Sequence, residues 1–237
     1  MNVIWHDLEC GGYVEDLPLW RELAAERGGP VLDIGAGTGR VALDLARAGH
    51  SVTAIDRDRQ LLAELERRAV GLAIDAVLAD ARDFELSRRY ALCVVPMQTI
   101  QLLGGRDGRL AFLRRAAAHL RPDGVLAIAI SEMLELYEVL EGDLGPTPDI
   151  CEIDGIVYSS HPTAVRAAGD AFVIERRREV TSARGERDVS RDEIRLDRLS
   201  LRQLQREATL VGLSSRGHAL VPATEDYVGS TVVMLGA

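Results

Sequence analysis

From Leu17 to Arg27 apolar residues recur at helical spacing, and Gly28, Gly29 and Pro30 stop that helix before the apolar run Val31, Leu32 and Ile34, which reads as a buried strand. Thr38 to Ala48 returns to helical spacing through Val41, Leu43, Leu45 and Ala46, with Gly49 as its C-cap. The unit then repeats. Strands are predicted at Ser51 to Ile55, Ala76 to Ala79, Leu92 to Val95 and Val125 to Ile130, and helices at Asp58 to Ala69 and Arg109 to Leu120. Such alternation, with strands apolar on both faces, predicts an α/β domain whose parallel sheet is covered by helices.

After a helical stretch near Glu132 to Leu140, the Gly- and Pro-rich segment from Gly142 to Pro148 breaks the pattern. Cys151 to Ser160, Thr163 to Ala168, Ala171 to Thr181 and Val189 to Leu199 are strand-like. They are separated by turn signals at His161–Pro162, Ala168–Gly169–Asp170 and Arg184–Gly185, which predicts an antiparallel insertion acting as a lid. A helix from Ser200 to Leu210 and strands at Ser214 to Val221 and Tyr227 to Leu235 then return to the main sheet. The organisation expected is a core at 1–141, an antiparallel lid at 142–199 and core-completing elements at 200–237.

With 237 residues, 47% of them apolar, the chain can bury one full core. No apolar run approaches the roughly 18 to 20 residues that span a bilayer, and Met1 to Gly11 carries His6, Asp7 and Glu9 where a signal peptide is basic and then apolar, so a cytoplasmic protein is expected. Cys10, Cys93 and Cys151 are far apart, without zinc or dithiol spacing. No metal is expected. The net charge of −9 argues against a duplex-binding surface, which needs clustered cations. Acids outnumber arginines 24 to 16 in residues 1–150 but only 13 to 12 in 151–237. All 28 basic residues are arginine, which removes lysine Schiff-base chemistry and the P-loop from consideration.

The informative stretch is Val31-Leu32-Asp33-Ile34-Gly35-Ala36-Gly37-Thr38-Gly39-Arg40, a strand running through a glycine turn into a helix. Glycines there let backbone approach a ligand closely, at the carboxyl end of the first strand. The dinucleotide fingerprint requires glycine where Arg40 stands, and Asp33 would repel a pyrophosphate. An acid suits a ligand carrying a sulfonium and an ammonium instead. Asp56, directly after the second strand and 21 residues beyond Gly35, is placed to accept both ribose hydroxyls, with Arg57 beside it. Asp80 after the third strand is placed to accept from an adenine amino group while the Ala81 N–H donates to the ring.

Asp33 through Gly39, Asp56, Asp80–Ala81 and Leu120-Arg121-Pro122-Asp123-Gly124 together resemble, in order and spacing over roughly residues 10–130, the motifs of the class I S-adenosylmethionine-dependent methyltransferase superfamily. The resemblance implies a doubly wound, mainly parallel, seven-stranded Rossmann-like sheet. It also implies S-adenosyl-L-methionine as cofactor and S-adenosyl-L-homocysteine as product. By that resemblance Asp33, Gly35, Ala36, Gly37 and Gly39 line the methionine moiety, Asp56 and Asp80 hold ribose and adenine, and Tyr13 covers the cofactor from the amino-terminal side. Ala91, where many relatives have an acid, and Asp123, where they have glycine, depart from the pattern without touching these contacts.

Methyl transfer needs the acceptor positioned and water excluded more than it needs a base. The loop Pro96-Met97-Gln98-Thr99-Ile100-Gln101 opens at the same cleft, so Met97 is expected against the cofactor and Gln98 or Thr99 against the acceptor. The loop lacks the Asn-Pro-Pro-Tyr signature of enzymes that methylate nucleobase amines or glutamine amides. In the insertion, His161 and Tyr158 suit proton transfer or pocket lining, although a His before a Pro in a turn is most often simply exposed. His50 and His119 are set aside as helix-end residues matched to the dipole. Two of Arg176, Arg177 and Arg178 share a strand face and suit an anionic substrate, against the plainer reading of a solvated edge. The expected partner is a small-molecule methyl acceptor, with no nucleic acid and no membrane; oligomeric state is left open. The alternatives weighed are a nicotinamide-dependent Rossmann oxidoreductase and a non-catalytic S-adenosylmethionine-binding module.

Overall fold

The computed structural model describes residues 2–225 and 227–237. They form two compact units: Tyr13–Glu132 with Leu199–Ala237, and the segment up to Gly12 with Met133–Arg198. The units divide at Gly12, Glu132 and Arg198.

The first unit is built on seven strands: β1 (Val31–Ile34), β2 (Val52–Asp56), β3 (Ile74–Leu78), β4 (Tyr90–Val95), β5 (Leu120–Ile130), β11 (Ser214–Val221) and β12 (Ser230–Gly236). Their order is β11-β12-β5-β4-β1-β2-β3. β1 pairs in parallel with β2 and β4, β2 with β3, and β4 with β5, while β12 runs antiparallel to β5 and β11. Every residue of β1 and of β4 is buried. Burial on both faces explains why these strands read as continuous apolar runs. Alternate residues divide between two core layers. Leu32, Ile34, Cys93, Val95, Leu126 and Ile128 pack with Phe112, Leu113 and Ala116 of α5 (Gly105–His119) and Leu204 and Ala208 of α6 (Leu201–Thr209). Val31, Leu92, Val94 and Ala127 pack instead with Trp20 and Leu23 of α2 (Leu17–Arg27), Val41 and Leu45 of α3 (Arg40–Arg47), and Leu62 and Leu65 of α4 (Arg59–Arg68). The period of two along each strand thus winds helices on both faces.

Local chemistry agrees with these elements. Asp58 caps α4 by accepting from the Gln60 and Leu61 amides, and Ser200 caps α6 by accepting from Gln203 N–H. The buried Arg109 guanidinium makes two 2.8 Å hydrogen bonds to Glu207, joining α5 to α6. His119 ends α5 as a buried residue stacked 4.6 Å from Phe84; its Nδ1 lies 2.7 Å from the Arg115 carbonyl and its Nε2 accepts from Leu86 N–H. Its role is therefore packing and bonding rather than dipole compensation alone.

The second unit is antiparallel. Its strands β6 (Tyr137–Glu138), β7 (Asp149–Ile153), β8 (Ile156–Ala168), β9 (Ala171–Thr181) and β10 (Arg187–Asp197) form a sheet ordered β10-β9-β8-β6, with β7 also pairing β8. One turn and one continuous strand expected from sequence are corrected. His161–Pro162 is not a turn: β8 runs straight through it, with an irregularity between Pro162 and Ala164 that accommodates the missing proline donor. The run Cys151 to Ser160 is split by a two-residue hairpin at Asp154 (φ 53°) and Gly155 (φ 75°), the left-handed pair that a tight hairpin requires.

The helix expected near Glu132 to Leu140 is absent as well. Met133, Leu136 and Leu140 are exposed, Leu134 is buried with Val165, Phe172 and Leu196, and Tyr137 and Glu138 pair with β8, so strand pairing overrides the helical spacing. A short helix, α1 (Asn2–His6), and a π-turn at Asp7–Gly11 belong to this unit. Sequence pattern had left them unassigned.

Candidate functional site

The parallel strands end side by side, and the loops leaving them carry the residues singled out by sequence. Asp33, next to last in β1, is buried, and among the described residues neither carboxylate oxygen has a hydrogen-bond partner of normal geometry. Burial pushes its pKa up to about 7, reinforced by the charges of Asp56 and Asp16 and opposed by Arg40 and the Ala42 amide. A buried acid with both oxygens unmet is costly, and such groups concentrate where a ligand completes them.

Gly35, Gly37 and Gly39 follow at φ 76°, 56° and 95°. At Gly35 the conformation and the space both demand glycine, since a Cβ there would stand 2.5 Å from Thr99 Cγ2 in the loop after β4. The Gly35 and Ala36 amides donate to the Ile55 carbonyl, which ties the turn to β2. Asp56, at the end of β2, accepts from the Gly37 amide (2.9 Å) and the Asp58 amide (2.8 Å), one on each oxygen. Each oxygen retains a lone pair for a hydroxyl. Arg57 is exposed, and its charge adds to the field on Asp80.

Asp80 is engaged from one side: the Arg82 side chain grips both of its oxygens, and the Arg82 amide adds a third bond. That grip holds the Asp80 pKa down to about 2. Ala81 is half-buried beside the core.

Two features escaped the sequence reading. The first concerns Arg40, which breaks the dinucleotide pattern. Its guanidinium makes a bidentate pair with the buried Asp16 (2.5 and 2.8 Å), donates to the Tyr13 carbonyl (2.8 Å) and lies 5.1 Å from the centre of the Tyr13 ring. Tyr13, itself buried and 5.0 Å from the Tyr227 ring, is thereby fixed to the start of α3. The spacing of Asp16 and Arg40 offered no signal for this, because the two are 24 residues apart.

The second is the support of the loop after β4. Met97 adopts φ 54°, a left-handed conformation unusual for a residue with a side chain. Gln98 follows, half-buried, its Nε2 donating to Ser131 Oγ (2.9 Å) at the end of β5. Ser131 Oγ donates in turn to the Gly229 carbonyl. Gln101 clamps the Ser131 backbone, accepting from its N–H (2.8 Å) and donating to its carbonyl (3.1 Å). A polar residue directly after the last apolar position of β5 was the available clue.

Of the two catalytic candidates, Gln98 lies in this α/β unit and His161 in the antiparallel unit. His161 Nε2 is 3.0 Å from Ser159 Oγ, and the residue stands opposite Arg177 on β9. Arg176 and Arg178 are not on a solvated edge, because β9 runs between β8 and β10. Arg178 makes two hydrogen bonds to the buried Glu9 and one to Asp192, and it lies over the Trp5 ring. Among the described residues no group of three or more His, Cys, Asp or Glu is placed to hold a metal ion.

Residues 31–124 match the methyltransferase domain family. A sugar N-methyltransferase from Streptoalloteichus has a similar structure at TM-score 0.74, over 98% of this chain and 91% of that one, at 18% identity. The chain has the class I methyltransferase fold. Within that fold, the cypemycin N-terminal methyltransferase of a Streptomyces species is 32% identical over 108 residues, 46% of this chain and 44% of the relative. A probable cobalt-precorrin-6B C(15)-methyltransferase (decarboxylating) of Methanothermobacter thermautotrophicus is 34% identical over 131 residues, 52% of this chain and 64% of the relative. The sequence matches span less than two thirds of the length of either curated relative. No helix among the described residues is long and apolar enough to cross a membrane.

Proposed function

We propose that this chain transfers a methyl group from S-adenosylmethionine to a small-molecule acceptor and releases S-adenosylhomocysteine. The observation that carries the reading is the buried, unpartnered Asp33 carboxyl beside a left-handed glycine turn. An electropositive group such as a sulfonium or ammonium meets its missing partner, and a pyrophosphate does not. The remaining donor set fits the rest of such a ligand. Asp56 keeps a lone pair on each oxygen for the two ribose hydroxyls, and Asp80 with Ala81 suits an adenine edge.

When bound, the cofactor supplies an activated methyl and its own leaving group. The protein's work is then positioning. Gly35 and Gly37 keep side chains out of the approach, Tyr13 is held by Arg40 against the same end of the unit, and Met97 and Gln98 offer the loop from which an acceptor is oriented. His161, on β8, is retained as the second proposed catalytic residue, a candidate for proton transfer. The small-molecule class is supported by the acceptors in the relatives' names, a sugar nitrogen and a peptide amino terminus among them.

The oxidoreductase reading is disfavoured by Arg40, which stands where the dinucleotide fingerprint needs glycine and is held there by Asp16 and the Tyr13 carbonyl. Calorimetric titration with S-adenosylhomocysteine tests the proposal, with Asp56→Ala and Gly37→Val as controls. Binding that both substitutions weaken is expected. Absence of binding together with tight binding of NADH would overturn the reading. Firm binding without methylated product across a broad acceptor panel would point instead to a binding module.

A further inference from the structure

The hydrogen-bond chain behind Gln98 has a direction. Ser131 Oγ has one proton, and the Gly229 carbonyl, which can only accept, takes it. Ser131 Oγ is therefore an acceptor toward Gln98, so the Gln98 amide must turn its NH2 inward. Ser131 cannot swivel to reverse this, since it is buried and Gln101 holds its backbone from both sides. What Gln98 presents outward is its carbonyl oxygen, which no group among the described residues engages. It does so at the carboxyl end of β4, from a loop whose next residue, Thr99, abuts the Gly35 turn, and behind a left-handed Met97.

Resting on the methyltransferase reading, we propose that Ser131 is a positioning residue that locks Gln98 as a hydrogen-bond acceptor for the methyl acceptor, and that the acceptor atom is the nitrogen of a primary or secondary amine. An amide oxygen accepts a hydrogen bond but is far too weak a base to remove a proton. A hydroxyl must lose its proton to become a strong nucleophile, and this device does not take it. A neutral amine already carries its lone pair. Its N–H donates to Gln98 Oε1 while the lone pair points away from that bond, toward the methyl. The N–C bond forms as the C–S bond breaks, the pair going to sulfur, and the alkylammonium product gives its extra proton to water.

Sinefungin tests this without knowing the acceptor, because it carries an amine where S-adenosylmethionine carries the sulfonium methyl. One charge-assisted hydrogen bond to Gln98 predicts that the wild type prefers sinefungin over S-adenosylhomocysteine by roughly tenfold or more. Ser131→Ala and Gln98→Met should each cut that preference to near parity while S-adenosylhomocysteine affinity stays within about twofold, which also certifies a folded site. Ser131→Thr, which retains the hydroxyl, should restore it. A purely structural role for Ser131 would weaken both ligands together. No preference in the wild type, or one that survives Ser131→Ala and Gln98→Met, overturns the inference while leaving the methyltransferase reading intact. A wild type that binds neither ligand overturns that reading, and the inference with it.

Discussion

Asp33 ties the stability of the α/β unit to pH in an unusual sense. An unfolded aspartate titrates near 3.8, whereas burial raises this one to about 7. Between those values the unfolded chain has lost a proton that the folded chain keeps, so stability falls as pH rises from about 4 to 7 and levels off above the folded value. About 3 units at 1.36 kcal/mol each amount to about 4 kcal/mol. Asp33→Asn removes the titration at nearly constant shape, so the variant should match the wild type near pH 4 and exceed it at pH 8. At roughly 2 to 4 °C per kcal/mol for a chain of this size, the gap in melting temperature is on the order of 10 °C. Thermal unfolding of both proteins from pH 4 to 8 measures it, and the difference between the curves cancels the other titrating groups. Parallel curves, or an Asn variant less stable at pH 8, would refute the reasoning. Arg40, Asp16 and Asp56 set this field, so the effect should also shrink if Asp56 is neutralised.

Three further outcomes follow from particular contacts. If a cationic cofactor stabilises ionised Asp33, its binding at pH 6.5 should release a fraction of a proton, read as a calorimetric heat that varies with buffer ionisation enthalpy; Asp33→Asn should abolish the variation. Glu207→Leu leaves the buried Arg109 guanidinium without its carboxylate and should cost about 3 kcal/mol in urea unfolding, more than the paired change to two apolar residues. In the antiparallel unit, burial would raise the Glu9 pKa, but hydrogen bonds from Arg178 and Ser160 and the charge of Arg176 outweigh it and lower it. Stability from Glu9 is thus present above about pH 4.5 and lost below, and Glu9→Gln should flatten that acid limb of the unfolding curve, with no change there counting against the pairing.

The α/β architecture was legible because its strands are buried on both faces and its helices are amphipathic, so each element announces itself in a local window. The glycine turn and the acids at Asp33, Asp56 and Asp80 were legible for a related reason: in a parallel sheet the ligand-facing loop directly follows its strand, so position in sequence gives position at the site. The segment 132–140 was misread as helix because short apolar runs fit helix and strand alike, and only pairing with β8 decided between them. The pairs Arg40–Asp16 and Arg178–Glu9 span 24 and 169 residues, and the Gln98–Ser131 bond spans 33. Such partners are chosen by chain crossing and burial, which no local window records. Sequence alone therefore determined the fold class and the acids carried at the strand ends, set by local periodicity and strand-end chemistry. Only the tertiary structure decided which charges are paired, that Asp33 is buried without a hydrogen bond of normal geometry among the described residues, and which way the Gln98 amide faces, since each depends on groups that folding brings together from distant parts of the chain.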